Sequence, residues 1–322
     1  MKTSIVFFGT PDFAKESLSR LYDDPKVNIK GVVSGPDRQS GRGLKTKQSE
    51  VAAFAVEREI SLSQPSDLES DDFIKVLKEW NAEIFVVVAF RKLPKNVWSI
   101  PKLGTFNIHA SLLPAYRGAA PIQWAIANGE ALTGVTSFFI NDVIDSGDMI
   151  LQLKVKIGTN EGISSLYDKL KIAGASLALD TIFAISGEKT TRIEQKMDGV
   201  DKKAPKIFTQ FGHLELLNSL TEIHNRIRAC DNFPGASIPM INGNSGRIKF
   251  FNSKIINNYK SLDYTINIKL IISDKEIIIT QRNTALKIGS VQWPGKRQMD
   301  TFEFVKGFRE RGVFEINGKK IA

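Results

Sequence analysis

Hydrophobic positions in the first 150 residues form short unbroken runs, separated by stretches in which they recur every three or four residues. SIVFFG (4–9) is apolar and stops at a glycine, which reads as a buried strand. Thr10 and Pro11 then open a helical pattern, a capping residue followed by proline at the first helical position. NIKGVVS (28–34), EIFVVVAF (83–90), TFNIH (105–109) and GVTSFFI (134–140) repeat the strand signal, with helical patterns around Ser49–Arg58, Asp71–Trp80 and Ala120–Asn128. Continuous apolar strands that alternate with helices predict an α/β domain, a Rossmann-like mostly parallel sheet covered on both faces. MILQLKVKI (149–157) alternates instead, as an edge or antiparallel strand does, and the helical stretch 162–185 closes the domain.

The pattern is lost over residues 186–207, which are polar and without period. Beyond them LLNSLTEIHNRIRAC (216–230) is an amphipathic helix. RIKFFNSKII, DYTINIKLII, KEIIIT and ALKIGSVQWPG are short β-rich runs broken by turn residues, and DTFEFVKGFRERG is a final helix. This predicts a smaller OB-like β-barrel domain. A chain of 322 residues exceeds what one core usually organises, so the expected division is 1–187, a linker at 188–207, and 208–322.

Composition narrows the possibilities. No stretch of eighteen apolar residues exists to cross a membrane, and MKTSIVFFGTPDF lacks the cleavage site of a signal peptide. Cys230 is the only cysteine and the three histidines are unpaired in spacing, so no metal site is expected and a reducing cytoplasm fits. The net charge of +9 is uneven: residues 1–205 carry 26 basic and 25 acidic side chains, residues 206–322 carry 18 and 10. That concentration points to a polyanionic partner for the last third of the chain. The first strand-to-helix turn, Gly9-Thr10-Pro11-Asp12-Phe13-Ala14, lacks two glycines of the dinucleotide fingerprint and sets an acid at the helix start, against NAD or FAD.

Chemistry concentrates near residue 107. Side chains two apart on a strand share a face, so Asn107 and His109 point together at the carboxyl end of TFNIH, where open α/β sheets hold ligands. The loop INDVIDSGDMI offers Asp142, Asp145 and Asp148. A carboxylate from this loop beside His109 would orient the ring and stabilise it as a cationic donor, and turn formation accounts for at least one of the three.

GTPDFA, PDRQSGRG, FNIHASLLPAYRGAAPIQWAI, IDSGDMI and TEIHNRIRACDNFPGA together resemble the methionyl-tRNA formyltransferases, within the superfamily of folate-dependent formyltransferases. The likeness covers nearly the whole chain. It implies a catalytic triad of Asn107, His109 and Asp145 that moves a formyl group from 10-formyltetrahydrofolate to the α-amine of methionyl initiator tRNA. It further implies a folate slot of Phe90, Leu93, Val97, Ile140, Asp142 and Val143 with Ser111, Leu112, Leu113 and Pro114. Phe90-Arg91 stands where much of the family has Tyr-Gly, and Ala115 where a basic or polar residue is common, which changes the slot lining and one phosphate contact.

In such enzymes the loop SGPDRQSGRGLKTKQSE meets the acceptor stem, which implies substrate contacts from Arg38, Arg42 and Lys45, with Gly118 beside the site. The basic second domain would follow tRNA phosphates, with Arg226, Arg228, Lys249 and Lys287 as members of its patch. The enzyme is expected to be monomeric. A sugar-nucleotide N-formyltransferase is the alternative within the superfamily, and a binding module with an inactive α/β domain lies outside it; the charge partition opposes the former and the presence of all three triad residues the latter.

Overall fold

The computed structural model describes residues 2–40, 45–187, 190–196, 202–231, 233–241, 245–259 and 267–321. In chain order the first elements are β1 (Thr3–Gly9), α1 (Asp12–Tyr22), β2 (Val27–Val33), β3 (Arg38–Ser40), β4 (Lys45–Lys47), α2 (Glu50–Glu57), β5 (Leu62–Ser63), α3 (Asp71–Trp80) and β6 (Ile84–Val88). There follow α4 (Lys95–Trp98), β7 (Thr105–His109), α5 (Pro121–Ala127), β8 (Leu132–Phe139), β9 (Met149–Lys156) and α6 (Ile163–Ser186). Two compact units result. The first comprises Met1–Gly118, Leu132–Lys156 and Asp168–Ala204; the second comprises Ala119–Ala131, Ile157–Tyr167 and Pro205–Ala322. Two short pieces that precede the polar connector thus pack in the second unit.

The first unit is built on a seven-stranded sheet in the order β5-β2-β1-β6-β7-β8-β9. Every residue of β1 is buried, as expected of a strand flanked on both sides. β5, β2, β1, β6 and β7 run parallel. The fifth predicted strand, β8, instead runs antiparallel to β7, and β9 antiparallel to β8. The loop between β8 and β9 is too short for a crossover helix, which dictates the second reversal. Three features of this unit escape the hydrophobic pattern: β5, only two residues long, the single-turn α4, and the β3–β4 hairpin inside the polar loop. Ser49 caps α2, its hydroxyl accepting from the Ala52 amide at 3.0 Å. One face of the sheet carries a cluster that includes Val6, Phe8, Phe85, Val87, Leu93 and Val97.

The second unit contains α7 (Leu220–Ala229), β10 (Ala236–Pro239), β11 (Arg247–Phe251), β12 (Lys254–Ile256), β13 (Lys269–Ile272), β14 (Ile277–Gln281) and β15 (Thr284–Lys287). β16 (Ser290–Gln292), β17 (Gln298–Asp300), α8 (Thr301–Gly307) and β18 (Gly312–Glu315) complete it. Its strands form two antiparallel sheets, β10-β11-β16-β17 and β12-β15-β14-β13-β18, around one core with α7, an OB-like arrangement. A capping box starts α7: Ser219 accepts from the Glu222 amide while Glu222 accepts from the Ser219 amide.

Burial corrects one expectation for the basic patch. Arg228 is only 6 % exposed, and its guanidinium donates to Asn225 Oδ1 at 2.8 and 3.0 Å and to the Glu161 carbonyl at 3.0 Å. Arg226 lies over the Phe211 ring at 4.0 Å. Arg226 is half-buried, while Arg228 faces polar oxygens of the protein rather than solvent, so Arg228 cannot meet a phosphate. The helical period that made α7 amphipathic also turned this cation inward, where backbone carbonyls replace its water. Lys287 is exposed and paired with Glu276 at 3.1 Å.

Candidate active site

Strand β7 sets the first two side chains. Asn107 pairs in register with Val87 of β6 and Phe138 of β8, so it shares their face of the sheet, the face of the cluster containing Leu93 and Val97. Ile108 points the other way, against Gly174 of α6. Asn107 Oδ1 is buried and has no hydrogen-bond partner among the described residues. An orphaned amide oxygen typically costs about 1–3 kcal/mol and calls for a reason, which a bound donor would supply.

His109 is 7 % exposed, and its Nε2 lies 2.8 Å from the carbonyl oxygen of Tyr116. A carbonyl only accepts, so Nε2 carries a proton and donates it there. Nδ1 is the nitrogen left for chemistry. It faces Asp145 Oδ2 at 3.9 Å, beyond direct hydrogen-bond distance, and it donates only when the ring is the imidazolium. Residues 111–118 make the wall that presents the Tyr116 carbonyl. Ser111 Oγ donates to the Ala115 carbonyl at 2.6 Å, Thr136 Oγ1 donates to the Ser111 carbonyl at 2.7 Å, and Leu113 N donates to Thr136 Oγ1 at 3.1 Å. Tyr116 N donates to the Lys202 carbonyl at 2.5 Å.

Asp145 comes from the loop between β8 and β9 and sits at φ +54°, the left-handed region that aspartate enters more readily than most non-glycine residues. Its Oδ2 accepts from the Gly118 amide at 2.9 Å. Gly147 follows at a place where a Cβ would lie 1.7 Å from the Phe139 carbonyl oxygen, so only glycine lets the loop close against β8. Of the three loop aspartates it is Asp145 that meets His109. Asp142 is exposed, 3.8 Å from Lys95, and its carbonyl accepts from Lys92 at 3.3 Å.

The slot residues separate into groups. Leu93 and Val97 are buried in the cluster on the Asn107 face, with Phe90 and Ile140 packed against it. Val143 is 65 % exposed. A cleft of about 540 Å³ is lined by Leu93, Pro94, Trp98 and Asp142 with Ser66–Glu69, and does not reach Asn107, His109 or Asp145. Arg91 fixes one side of it, donating to the Ser66 carbonyl at 2.8 Å with its guanidinium 5.6 Å from the Phe90 ring centre. Ser111, Leu112 and Leu113 lie against β8, a Cβ on Gly134 meeting Leu112 at 2.5 Å, and neither they nor Pro114 belong to the cluster. Arg38 and Lys45 belong to the β3–β4 hairpin, and Arg42 lies outside the described residues. Gly118, expected near the substrate, supplies the amide that holds Asp145. Among the described residues no cluster of three or more metal-ligating side chains exists.

Residues 1–182 match the model of the formyl transferase family, and residues 206–309 that of the formyl transferase C-terminal domain. Similar full-length relatives include methionyl-tRNA formyltransferases of Bacteroides thetaiotaomicron, 37% identical with 97% of this chain and 98% of that protein covered, and of Flavobacterium psychrophilum, 40% identical with 94% and 95% covered. The chain belongs to the methionyl-tRNA formyltransferase family. Among solved structures, a sugar 3N-formyl transferase crystallised with dTDP and 5-N-formyl-THF superposes with a TM-score of 0.65 at 22% identity, covering 89% of this chain and 97% of that one. At that identity the likeness speaks for the fold shared by formyltransferases.

Three residues of this candidate site are not marked out by the hydrophobic pattern or by residue type. Tyr116 acts through its main chain, Arg117 is one cation among many, and Gln195 lies in the polar tract that reads as a connector. Tyr116 and Arg117 lie within the motif that resembles the family; nothing in the pattern singles out Gln195.

Proposed function

We propose that the chain transfers the formyl group of 10-formyltetrahydrofolate to the α-amine of methionyl initiator tRNA, in the cytoplasm and as a monomer. The approach of Asp145 to the free nitrogen of a ring whose other nitrogen is already committed, 3.9 Å, is the observation that supports it. The amine nitrogen attacks the formyl carbon, a C–N bond forms, and negative charge develops on the formyl oxygen. Imidazolium Nδ1–H of His109 and the Asn107 amide stabilise that oxygen, each such donor being worth about 3 kcal/mol in a water-poor site. Asp145 stabilises the imidazolium and receives the amine proton through a water. The carbonyl then re-forms as the bond from the formyl carbon to the folate nitrogen breaks, and that nitrogen takes up the proton held by Asp145, returned through water, so the aspartate ends as a carboxylate. No covalent enzyme intermediate is needed.

In this reading Phe90, Leu93, Val97 and Ile140 give the folate its apolar slot, with Asp142, Val143 and residues 111–114 at its margin. Residues 1–187 are the catalytic domain, 188–207 the connector and 208–322 the tRNA-binding domain, whose excess of cations attracts phosphates. Arg38, Arg42 and Lys45 approach the acceptor stem. The test offers the folate donor with charged initiator tRNA, charged elongator tRNA or an amino-sugar nucleotide. Formylation of initiator tRNA alone is expected; formylation of the sugar nucleotide would overturn the acceptor assignment.

A further inference from the structure

We infer that Gln195, braced by Arg117, is a positioning residue that holds the Asp145 carboxylate against His109. Asp145 stands in a loop at φ +54°, one of several conformations open to an aspartate, so the groups that fix it there decide where its carboxylate points. Gln195 Nε2 donates to the Asp145 carbonyl at 3.0 Å and to the Gly147 carbonyl at 2.7 Å, gripping the loop on both sides of Ser146. Its Oε1 accepts from Arg117 Nε at 2.9 Å and Nη2 at 2.7 Å. The orientation of the amide follows from its neighbours, because carbonyls demand the NH2 group and a guanidinium demands the oxygen. Gln195 is 8 % exposed, so these bonds are shielded from competing water.

The arrangement closes on itself. Residue 118 donates its amide to the Asp145 carboxylate, while residue 117, its neighbour, fixes the glutamine that grips the Asp145 main chain. One dipeptide therefore controls both ends of the aspartate. The backbone of 193 adds a further tie, exchanging hydrogen bonds with Met149 at 2.8 and 2.9 Å. Loss of the glutamine would let residues 145–147 relax toward other conformations and carry the carboxylate away from Nδ1.

The inference rests on the formyl-transfer reading of His109 and Asp145, and the test separates the two. Formyl transfer is followed in the full-length chain carrying Gln195→Glu, Gln195→Leu, Arg117→Met, the double Gln195→Leu/Arg117→Met, or His109→Asn. Gln195→Glu keeps shape and attracts Arg117 more strongly, but turns a carboxylate oxygen on two carbonyls. Its kcat should fall about 100-fold near neutral pH, the cost of a small misplacement, with KM for both substrates nearly unchanged. As pH falls its deficit should shrink, because a protonated carboxyl again donates to a carbonyl. Gln195→Leu should show a similar deficit at every pH, and the double variant should be no worse than the worse single, since the pair acts as a unit.

A Gln195→Glu enzyme with normal kcat across the pH range, or one whose deficit tracks that of Gln195→Leu at all pH values, overturns the brace. If either Gln195 variant fails to fold, Arg117→Met carries the test: normal kcat overturns the inference, and a lowered kcat with unchanged KM supports it. Full activity in His109→Asn would sink the catalytic reading itself; an inactive His109→Asn beside a normal Gln195→Glu would sink the brace alone.

Discussion

The two halves of the site are held by different means. Asn107 and His109 stand on β7, whose backbone is fixed by ladders to β6 and β8. Asp145 stands on a loop and is held by groups 27 and 50 positions away in the chain, Gly118 and Gln195. A strand transmits orientation through its own period, so a residue two positions along must share the face. A loop takes its orientation from whatever polar groups reach it, and these obey no period. The strand half should therefore lose chemistry without losing structure when mutated, and the loop half should lose both.

His109→Ala should have the largest effect, lowering turnover by about 2 to 4 orders of magnitude while tRNA binding holds. Normal turnover in that variant would remove the imidazolium from the mechanism. Asn107→Ala should lower kcat by about 100- to 1000-fold, the usual worth of one oxyanion donor, with a melting temperature that does not fall, since the orphaned amide oxygen goes with it. Gly147→Ala probes the loop half: the new methyl collides with the Phe139 carbonyl, so turnover should fall about 100-fold together with the melting temperature. A Gly147→Ala enzyme that loses turnover at full thermal stability would erase the contrast between the halves.

The mildest substitution lies in the second unit. Burial pushes the Asp231 carboxyl up to about 6 from its ordinary value of 3.8, and its Oδ1 has no partner among the described residues. A raised carboxyl contributes stability below the unfolded-state value that is lost as pH climbs through the folded-state value. Asp231→Asn should accordingly raise the melting temperature more at pH above about 6 than below about 4, without altering turnover. Equal changes at both ends of the range would deny the burial cost, and a drop in turnover would tie this carboxyl to the chemistry.

Legibility followed the same division. TFNIH and EIFVVVAF gave β7 and β6 and hence the common face of Asn107 and His109, because burial on both sides of a sheet leaves continuous apolar runs. The reversal at β8 left no trace, since strand direction is not encoded in hydrophobicity. Asp145 could not be told from Asp142 or Asp148 by composition, and family likeness alone selected it. Gln195 was invisible for a plainer reason: it works by two donors and one acceptor used at long range, in a tract without apolar period. In the second unit the amphipathic period of α7 holds, but period alone does not tell that a cation such as Arg228 turns inward onto main-chain carbonyls.

The acceptor that orients the imidazole is the Tyr116 carbonyl, a main-chain atom. No single codon change at position 116 can delete it, so the direction of that proton is insulated from side-chain drift there. Only a change in the path of the chain, such as a shift of the left-handed residue at φ +62°, would release the ring.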